Sequence, residues 1–274
     1  MSLRLVKAFG PVDVLGQPIL GRRRFGVPVG GAFDEESWQV ANVLAGVSIG
    51  QACWELSMAQ AKFEVVESCT VGVAGAPAPI RLASGLTEAS AVFTAQKGDT
   101  FVIEPPPTGA RAYIACGPVQ HPQGWVRRTE EPLHNVTQRH LIRVMAGPNE
   151  SLIGIEQILS TFKVSRSANR VGIRLEPRIA AHTYELTSTP QCVGVIQVSN
   201  DGTLIMLGPD GPTIGGYPMA AAICSSDLGR IGQLRPGDSV TFQLVTAQES
   251  LQLREQAALD QQVRLNLLRL ALSV

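Results

Sequence analysis

Two stretches gather the polar side chains that chemistry needs. VSRSANRVGIRLE, residues 164–176, sets Asn169, Arg170 and Arg174 around Gly172. GGYPMAAAICSSDLGRIGQLRPGD, residues 215–238, opens with Gly215, Gly216 and Tyr217 and goes on to Asp227, Arg230, Gln233 and Arg235. An arginine presents a planar fork of donors that matches a carboxylate or a phosphate. Adjacent glycines let main-chain amides approach a ligand closely. The same residue types also serve a purely structural end, an Arg–Asp pair tying turns together with Gly-Gly-Tyr-Pro as a corner. Charged residues make up only 17% of the chain, so such a gathering calls for pairing or for a ligand. Both readings stand at this point.

Other motifs fall away on inspection. Gly46-Val47-Ser48-Ile49-Gly50 matches the nucleophile elbow, but that motif needs a strand before it and a helix after it. Here a helix pattern precedes and the strand pattern ACWELSM follows, which makes the segment a connector. Gly16 to Gly21 imitates the spacing of a phosphate-binding loop, yet Arg22-Arg23 follows where a lysine and a hydroxyl are required. His121, His134, His140 and His182 stand at no zinc spacing and read as surface residues, so no metal is expected. The odd set Cys53, Cys69, Cys116, Cys192 and Cys224 has no C-x-x-C pair and reads as reduced, mostly buried thiols of a cytoplasmic protein. Asn135-Val136-Thr137 matches the glycosylation sequon, which carries no meaning without secretion.

The elements that must position these residues are mostly strands. Gly (27) and Pro (18) punctuate short apolar runs along the whole chain, the pattern of many strands joined by tight turns. GVIQVSNDGTLIML predicts a hairpin, with Asn200-Asp201-Gly202 supplying the positive-φ turn. QKGDTFVIEP (96–105) and RPGDSVTFQL (235–244) both set Gly-Asp before a Thr/Val/Phe-rich strand, which hints at one β architecture used twice. Helices are few. DEESWQVANVLAG predicts one, capped by Asp34, with Trp38, Ala41 and Leu44/Ala45 as its apolar stripe and Gly46 as its stop. A shorter helix is expected from Glu150 to about Leu159. The tail from Thr246 opens on a Thr246/Glu249 capping box and aligns Val263, Leu267, Leu270 and Val274 on one face. That face would pack on the body or on a partner.

At 274 residues the chain is long for one domain and comfortable for two. The expected division falls in the polar stretch 117–142, giving domains 1–140 and 141–274. Lys+Arg and Asp+Glu are equal at 23 each, which argues against nucleic-acid binding and against a polybasic membrane contact. Low charge leaves little self-repulsion, so association with partners or further copies is in reach. No apolar run reaches membrane-spanning length and the first residues lack a signal-peptide core.

The motifs then carry a resemblance. FGVPVGGAFDEESWQVANVLAG resembles the Gly-Val-Pro-x-Ser-Gly-Ala-x-Asp…Ala-Asn-x-Leu-x-Gly segment of the 5-oxoprolinase C-subunit family, also called allophanate hydrolase subunit 2-like or biotin-dependent carboxyltransferase-like. RSANRVGIRLE is similar to its Ser-Asn-Arg-Met-Gly-x-Arg-Leu segment. The 215–238 stretch is similar to its Gly-Gly-Tyr-Pro…Ala-Asp-Leu…Gln-Leu-x-Pro-Gly-Asp segment, and Asp210 and Thr213 complete the approach to it. The three segments lie in family order. Two departures matter: Gly30 stands where the family usually has Ser, and VQHPQGWVRRTEEPLHNVTQRH replaces a Leu-Gly-Ser-Arg-Ser-Thr-like loop.

The resemblance implies a mainly β fold of two cyclophilin-like β-barrel domains, few helices and a helical tail. It implies a partner resembling the B subunit of that system (allophanate hydrolase subunit 1-like) and another resembling its A subunit, together opening 5-oxoproline to glutamate with ATP. In that role Asn169, Arg170 and Arg174 orient a carboxylate or phosphoryl group, Asp227 handles protons or orients a neighbour, and Gly215, Gly216, Tyr217 and Gln233 contact substrate; Asp227 and Arg174 are the catalytic candidates. Two alternatives accompany it. One is a carboxyltransferase-like module of the urea amidolyase type, which handles carboxybiotin. The other is a non-catalytic partner-binding subunit, favoured by the missing loop.

Overall fold

A computed structural model describes residues 2–83, 85–87, 91–120, 126–128, 139–180 and 186–272. His121, His134, His182, the sequon at Asn135 and Val274 lie outside the described residues, as does most of the stretch that replaces the family loop. The fold is mainly β, with few helices and a long C-terminal helix. It divides into two compact units, one of Met1–Gln17, Asp34–Val136 and Asp260–Val274, the other of Pro18–Phe33 and Thr137–Leu259. Neither unit is a contiguous stretch, so a single boundary near residue 140 separates only part of each.

In the first unit two antiparallel sheets share a core. One runs in the order Leu3–Phe9, Gln60–Val65, Thr100–Ile103, Ile80–Leu82, Gly85–Thr87; the other in the order Val126–Arg128, Ala91–Ala95, Cys69–Gly75, Arg111–Gly117, Cys53–Ser57, Val12–Leu15. Phe63, Phe93 and Phe101 pack ring to ring among Leu56, Ile80, Ile103 and Ile114. Helix α1, Glu35–Leu44, is capped as its sequence predicts. Asp34 accepts from Ser37 N at 3.1 Å, and Trp38, Ala41, Leu44 and Ala45 are buried. The helix lies almost on the sheet. A Cβ at Gly72 would stand 2.5 Å from the carbonyl oxygen of Ala41, so only glycine permits that approach. A buried polar knot fixes the start of α1: Tyr113 OH donates to Glu55 at 2.7 Å and accepts from Asp34 N at 2.8 Å, with Arg111 3.4 Å from Glu55. Burial and the Glu55 and Asp34 carboxylates push the Tyr113 phenol well above its usual pKa, so it stays a donor.

The second unit is a closed barrel in the order Arg139–Ala146, Met219–Ile223, Val195–Val198, Leu204–Leu207, Gly172–Glu176, Thr161–Val164, Ser239–Leu244. Its closing pair, Arg139–Ala146 with Ser239–Leu244, is parallel; the other pairs are antiparallel. Alternation fills the inside: Phe162 and Val164 are buried while Thr161 and Lys163 are exposed. Phe33 joins this core beside Ile142, Ile173 and Met206, which ties segment 18–33 to the barrel. The expected helix 150–159 is instead two turns, α2 (Glu150–Ile153) and α3 (Ile155–Ile158), because Gly154 adopts φ +78° between them. Helix α4 is Leu228–Gly232 and α5 is Ala247–Leu272.

The two Gly-Asp segments fold alike down to single bonds. Gln96 N donates to Asp99 Oδ2 at 2.8 Å and Arg235 N to Asp238 Oδ2 at 2.9 Å. Gly98 N reaches Val65 O and Gly237 N reaches Val164 O, both at 2.8 Å. Gly98 and Gly237 share φ of +92° and +93°.

The capping box of α5 forms: Glu249 Oε2 accepts from Thr246 N at 2.7 Å and Thr246 Oγ1 from Glu249 N at 3.2 Å. Of the two packings expected for the Val263, Leu267 and Leu270 face, the one on the chain's own body is not made. Leu265 is buried and Gln261 donates to Glu36 O at 3.2 Å, whereas Val263, Leu267 and Leu270 are exposed. All five cysteines are free, Cys192 exposed and Cys53, Cys69 and Cys224 buried. Burial, with Glu55 nearby, pushes the Cys53 thiol far up. His140 is no surface residue: its side chain is mostly buried, 3.4 Å from Asp238.

Candidate functional site

The Asn-Asp-Gly hairpin is the site's framework. Val195–Val198 pairs with Leu204–Leu207 through Ile196–Met206, Gln197–Ile205 and Val198–Leu204, and Gly202 turns at φ +82°. On its other side the strand pairs with Met219–Ile223 through a bulge between Ile196 and Gln197. The extra residue is Ala220, on the facing strand. Here Gln197 lines a cleft of about 420 Å³ with Asn200, Pro212, Ile214, Gly215, Gly216 and Tyr217. Gln197 is 3% exposed, and its Nε2 has no hydrogen-bond partner among the described residues.

The loop leading to Gly-Gly-Tyr-Pro is held by the other motif. Arg170 grips Asp210 with both teeth of its fork, at 2.7 and 3.0 Å, and donates to Gly31 O at 2.7 Å. Arg23 donates to the carbonyls of Gln191 and Pro212. Gly30 N donates to Pro209 O at 2.9 Å. Gly30 itself sits at φ +63° with open space around a Cβ, so its residue type answers to backbone conformation. Ile214–Gly215 pairs with Thr189–Pro190. Beside it Gln191 donates its Nε2 to Thr189 O, Thr189 Oγ1 and Gly215 O at 3.2, 3.3 and 3.2 Å. Two of those partners are carbonyls, which only accept, so they set the amide's orientation. Gln191 Oε1 is left without a partner among the described residues.

The remaining expected residues lie elsewhere. Asn169 closes a turn, its Oδ1 accepting from Val171 N and Gly172 N at 2.9 and 3.2 Å. Arg174 is half-buried and donates to Ser167 O at 3.2 Å. Asp227 is fully buried. Its carboxylate takes Arg143 N at 2.8 Å, Arg143 Nε at 2.9 Å and Arg143 Nη2, with Arg230 at 3.8 Å. The Asp227 hydrogen bonds push the Arg143 guanidinium above its usual pKa. Saturated in this way, Asp227 holds the barrel end to α4 and is not placed to exchange protons with a ligand. Gln233 is buried at the end of α4, its N–H on Arg230 O at 3.0 Å. Of the expected residues, then, Gly215, Gly216 and Tyr217 line the cleft. Asn169, Arg170, Arg174, Asp227 and Gln233 do not. Sequence reasoning missed Gln197, Gln191, Asn200 and Arg143. The signal for Gln197 was a lone amide in an otherwise apolar Val-Ile-Gln-Val strand, all four residues of which are buried.

A second hollow, of about 560 Å³ in the first unit, is lined by Ser2, Gln51, Trp54, Glu67 and Cys116 among others and contains none of the expected residues. Among the described residues no cluster of His, Cys, Asp and Glu could hold a metal ion, and no helix is long and apolar enough to cross a membrane.

A closed β-barrel with this Arg–Asp-braced Gly-Gly-Tyr-Pro loop falls into a known class. The chain belongs to the family of the carboxyltransferase domain, subdomain A and B, whose model matches residues 25–123 and 116–244. It is 26% identical over 274 residues to the C subunit of 5-oxoprolinase from Escherichia coli (strain K12), covering 86% of this chain and 88% of that protein. It is 24% identical over 305 residues to urea amidolyase of Lachancea kluyveri, covering 86% of this chain but 16% of that protein. The crystal structure of the K. lactis urea amidolyase shares its fold, with TM-score 0.77 at 19% identity over 94% of this chain and 20% of that one.

Proposed function

We propose that the chain is a subunit of an ATP-dependent amide-hydrolysing complex of the 5-oxoprolinase type, acting on 5-oxoproline with partners that resemble the A and B subunits of that system. One observation carries this reading: the similarity to the bacterial C subunit runs along nearly the full length of both chains. The Gly215–Tyr217 cleft is the substrate-contacting part, braced by Arg170 and Asp210. Arg174, which makes no ion pair among the described residues, is the cation offered to a carboxylate. Asp227 contributes by fixing Arg143. The cleft does not fit a nucleotide, since no cationic side chain lines it among the described residues, and ATP has no step in it. The carboxylate of carboxybiotin would meet the same lack of a cation, and it too has no step in this cleft.

The test is reconstitution. The chain alone should not turn over 5-oxoproline. Combined with the A-type and B-type partner proteins from the same organism, it should release glutamate in an ATP-dependent way, with Arg174→Ala lowering the rate. Absence of glutamate from the three together overturns the reading. The fold shared with urea amidolyase favours a second one, a carboxyltransferase-like module. Carboxylation of urea from carboxybiotin, with no action on 5-oxoproline, would select it. Stable association with the partner and neither activity would mark a binding subunit.

A further inference from the structure

A buried amide that donates to nothing is costly, because it has lost water and gained no partner. Gln197 Nε2 is such a donor, and two observations place it toward a ligand. The side chain lines the Gly215–Tyr217 cleft. A Cβ built on Gly215 would stand 3.3 Å from Nε2, so a side chain there would crowd the donor. The same Cβ position lies 3.5 and 3.7 Å from Gln191 Cγ and Cδ. The amide of Gln191 is fixed with Nε2 on three acceptors, and its Oε1 is an unpaired acceptor.

An unpaired donor and an unpaired acceptor flank one glycine, and the lining offers no cation among the described residues. A carboxylate in this cleft would have nothing to neutralise it. An uncharged planar group with a carbonyl beside an N–H would satisfy the donor. We propose that Gln197 is a specificity-determining residue of this cleft, donating from Nε2 to the carbonyl of an uncharged amide-type ligand and discriminating against carboxylates. The inference rests on the Gly215–Tyr217 segment being the ligand-contacting part of the proposed function. It assigns to this cleft the neutral end of a ligand and leaves a carboxylate to be held elsewhere.

The full chain, labelled with ¹⁵N, is titrated with 2-pyrrolidinone, a lactam without a carboxylate, and separately with acetate. The side-chain NH₂ resonances of Gln197 are identified by their loss in Gln197→Met. They should move with 2-pyrrolidinone and not with acetate. Gln197→Met keeps the shape and removes the donor, so its melting temperature should equal or exceed that of the wild type while 2-pyrrolidinone binds about tenfold more weakly. Gly215→Ala, which fills the space, should weaken binding likewise. A lower melting temperature for Gln197→Met, with Gln197 resonances indifferent to the lactam, overturns the inference: the two glutamines then pair with each other. Shifts of equal size with acetate overturn it too. Reconstituted activity unchanged by Gln197→Met sinks this inference and leaves the proposed function standing. Lactam-dependent shifts in a protein that never yields glutamate do the reverse.

Discussion

At the scale of single residues, the acidic and basic side chains of the two motifs do opposite kinds of work. Asp227 is fully buried and saturated by Arg143, so Asp227→Ala strands a guanidinium that stands on strand Arg139–Ala146. The expected cost is about 3 kcal/mol, read as a lower denaturation midpoint with unchanged slope. Arg174 gives one hydrogen bond, to Ser167 O, and makes no ion pair among the described residues. Arg174→Ala should move the same midpoint by less than about 0.5 kcal/mol. The two catalytic candidates of the sequence, Asp227 and Arg174, are thereby separated by one measurement. Neither role was legible from spacing: Asp227 meets Arg143 across 84 residues, and no local pattern encodes a partner so distant.

At the scale of elements, local signals were strong where the physics is local. Asp34 with Glu35 and Glu36 announces α1, Thr246 with Glu249 announces α5, and Asn200-Asp201-Gly202 announces the hairpin; each is satisfied by bonds within a few residues. The split at Gly154 was not legible, because helices of four residues take their stability from the barrel they cover and hardly from propensity. The body-facing side of α5 was not legible, because Leu265 packs while Val263 and Leu267, on the apolar face, are exposed. Two outcomes test elements directly. Hydrogen bonds from Ser199 and Thr203 hold the Asp201 carboxyl down at about 2, from a usual 3.8. The hairpin's share of stability from this group is therefore complete above pH 3.8 and fades as the pH falls toward about 2. Carboxyl NMR titration should report that low midpoint, and Asp201→Asn should flatten the loss of stability in the same window. The twin Gly-Asp turns make the second test. Asp99→Ala should cost about 1 kcal/mol, since it deletes one bond to a main-chain amide three residues back, and Asp238→Ala at least as much, since it also removes the carboxylate beside His140. A smaller cost for Asp238→Ala than for Asp99→Ala would show that the resemblance of the turns is geometric only.

At the scale of the whole molecule, the β class and the few helices were legible from turn punctuation, whereas the assignment of segments to units was not. Residues 18–33 carry part of a family motif, yet nothing in them advertises that Phe33 completes the barrel core or that Gly31 receives Arg170. A fragment ending at residue 136 should accordingly melt without cooperativity, because it lacks Leu265 and Gln261, which belong to its unit; a sharp calorimetric transition for that fragment would contradict the division. The interleaving reaches into synthesis. Chains emerge from the ribosome amino end first, and units usually fold in that order. Here the earlier unit waits for residues from Asp260 onward, while the later barrel needs Pro18–Phe33, made long before it. The nascent protein keeps its first unit without its share of α5 through most of translation and holds an early segment in reserve. Synonymous codons that slow elongation between residues 137 and 259 would lengthen that exposed interval without altering a single side chain.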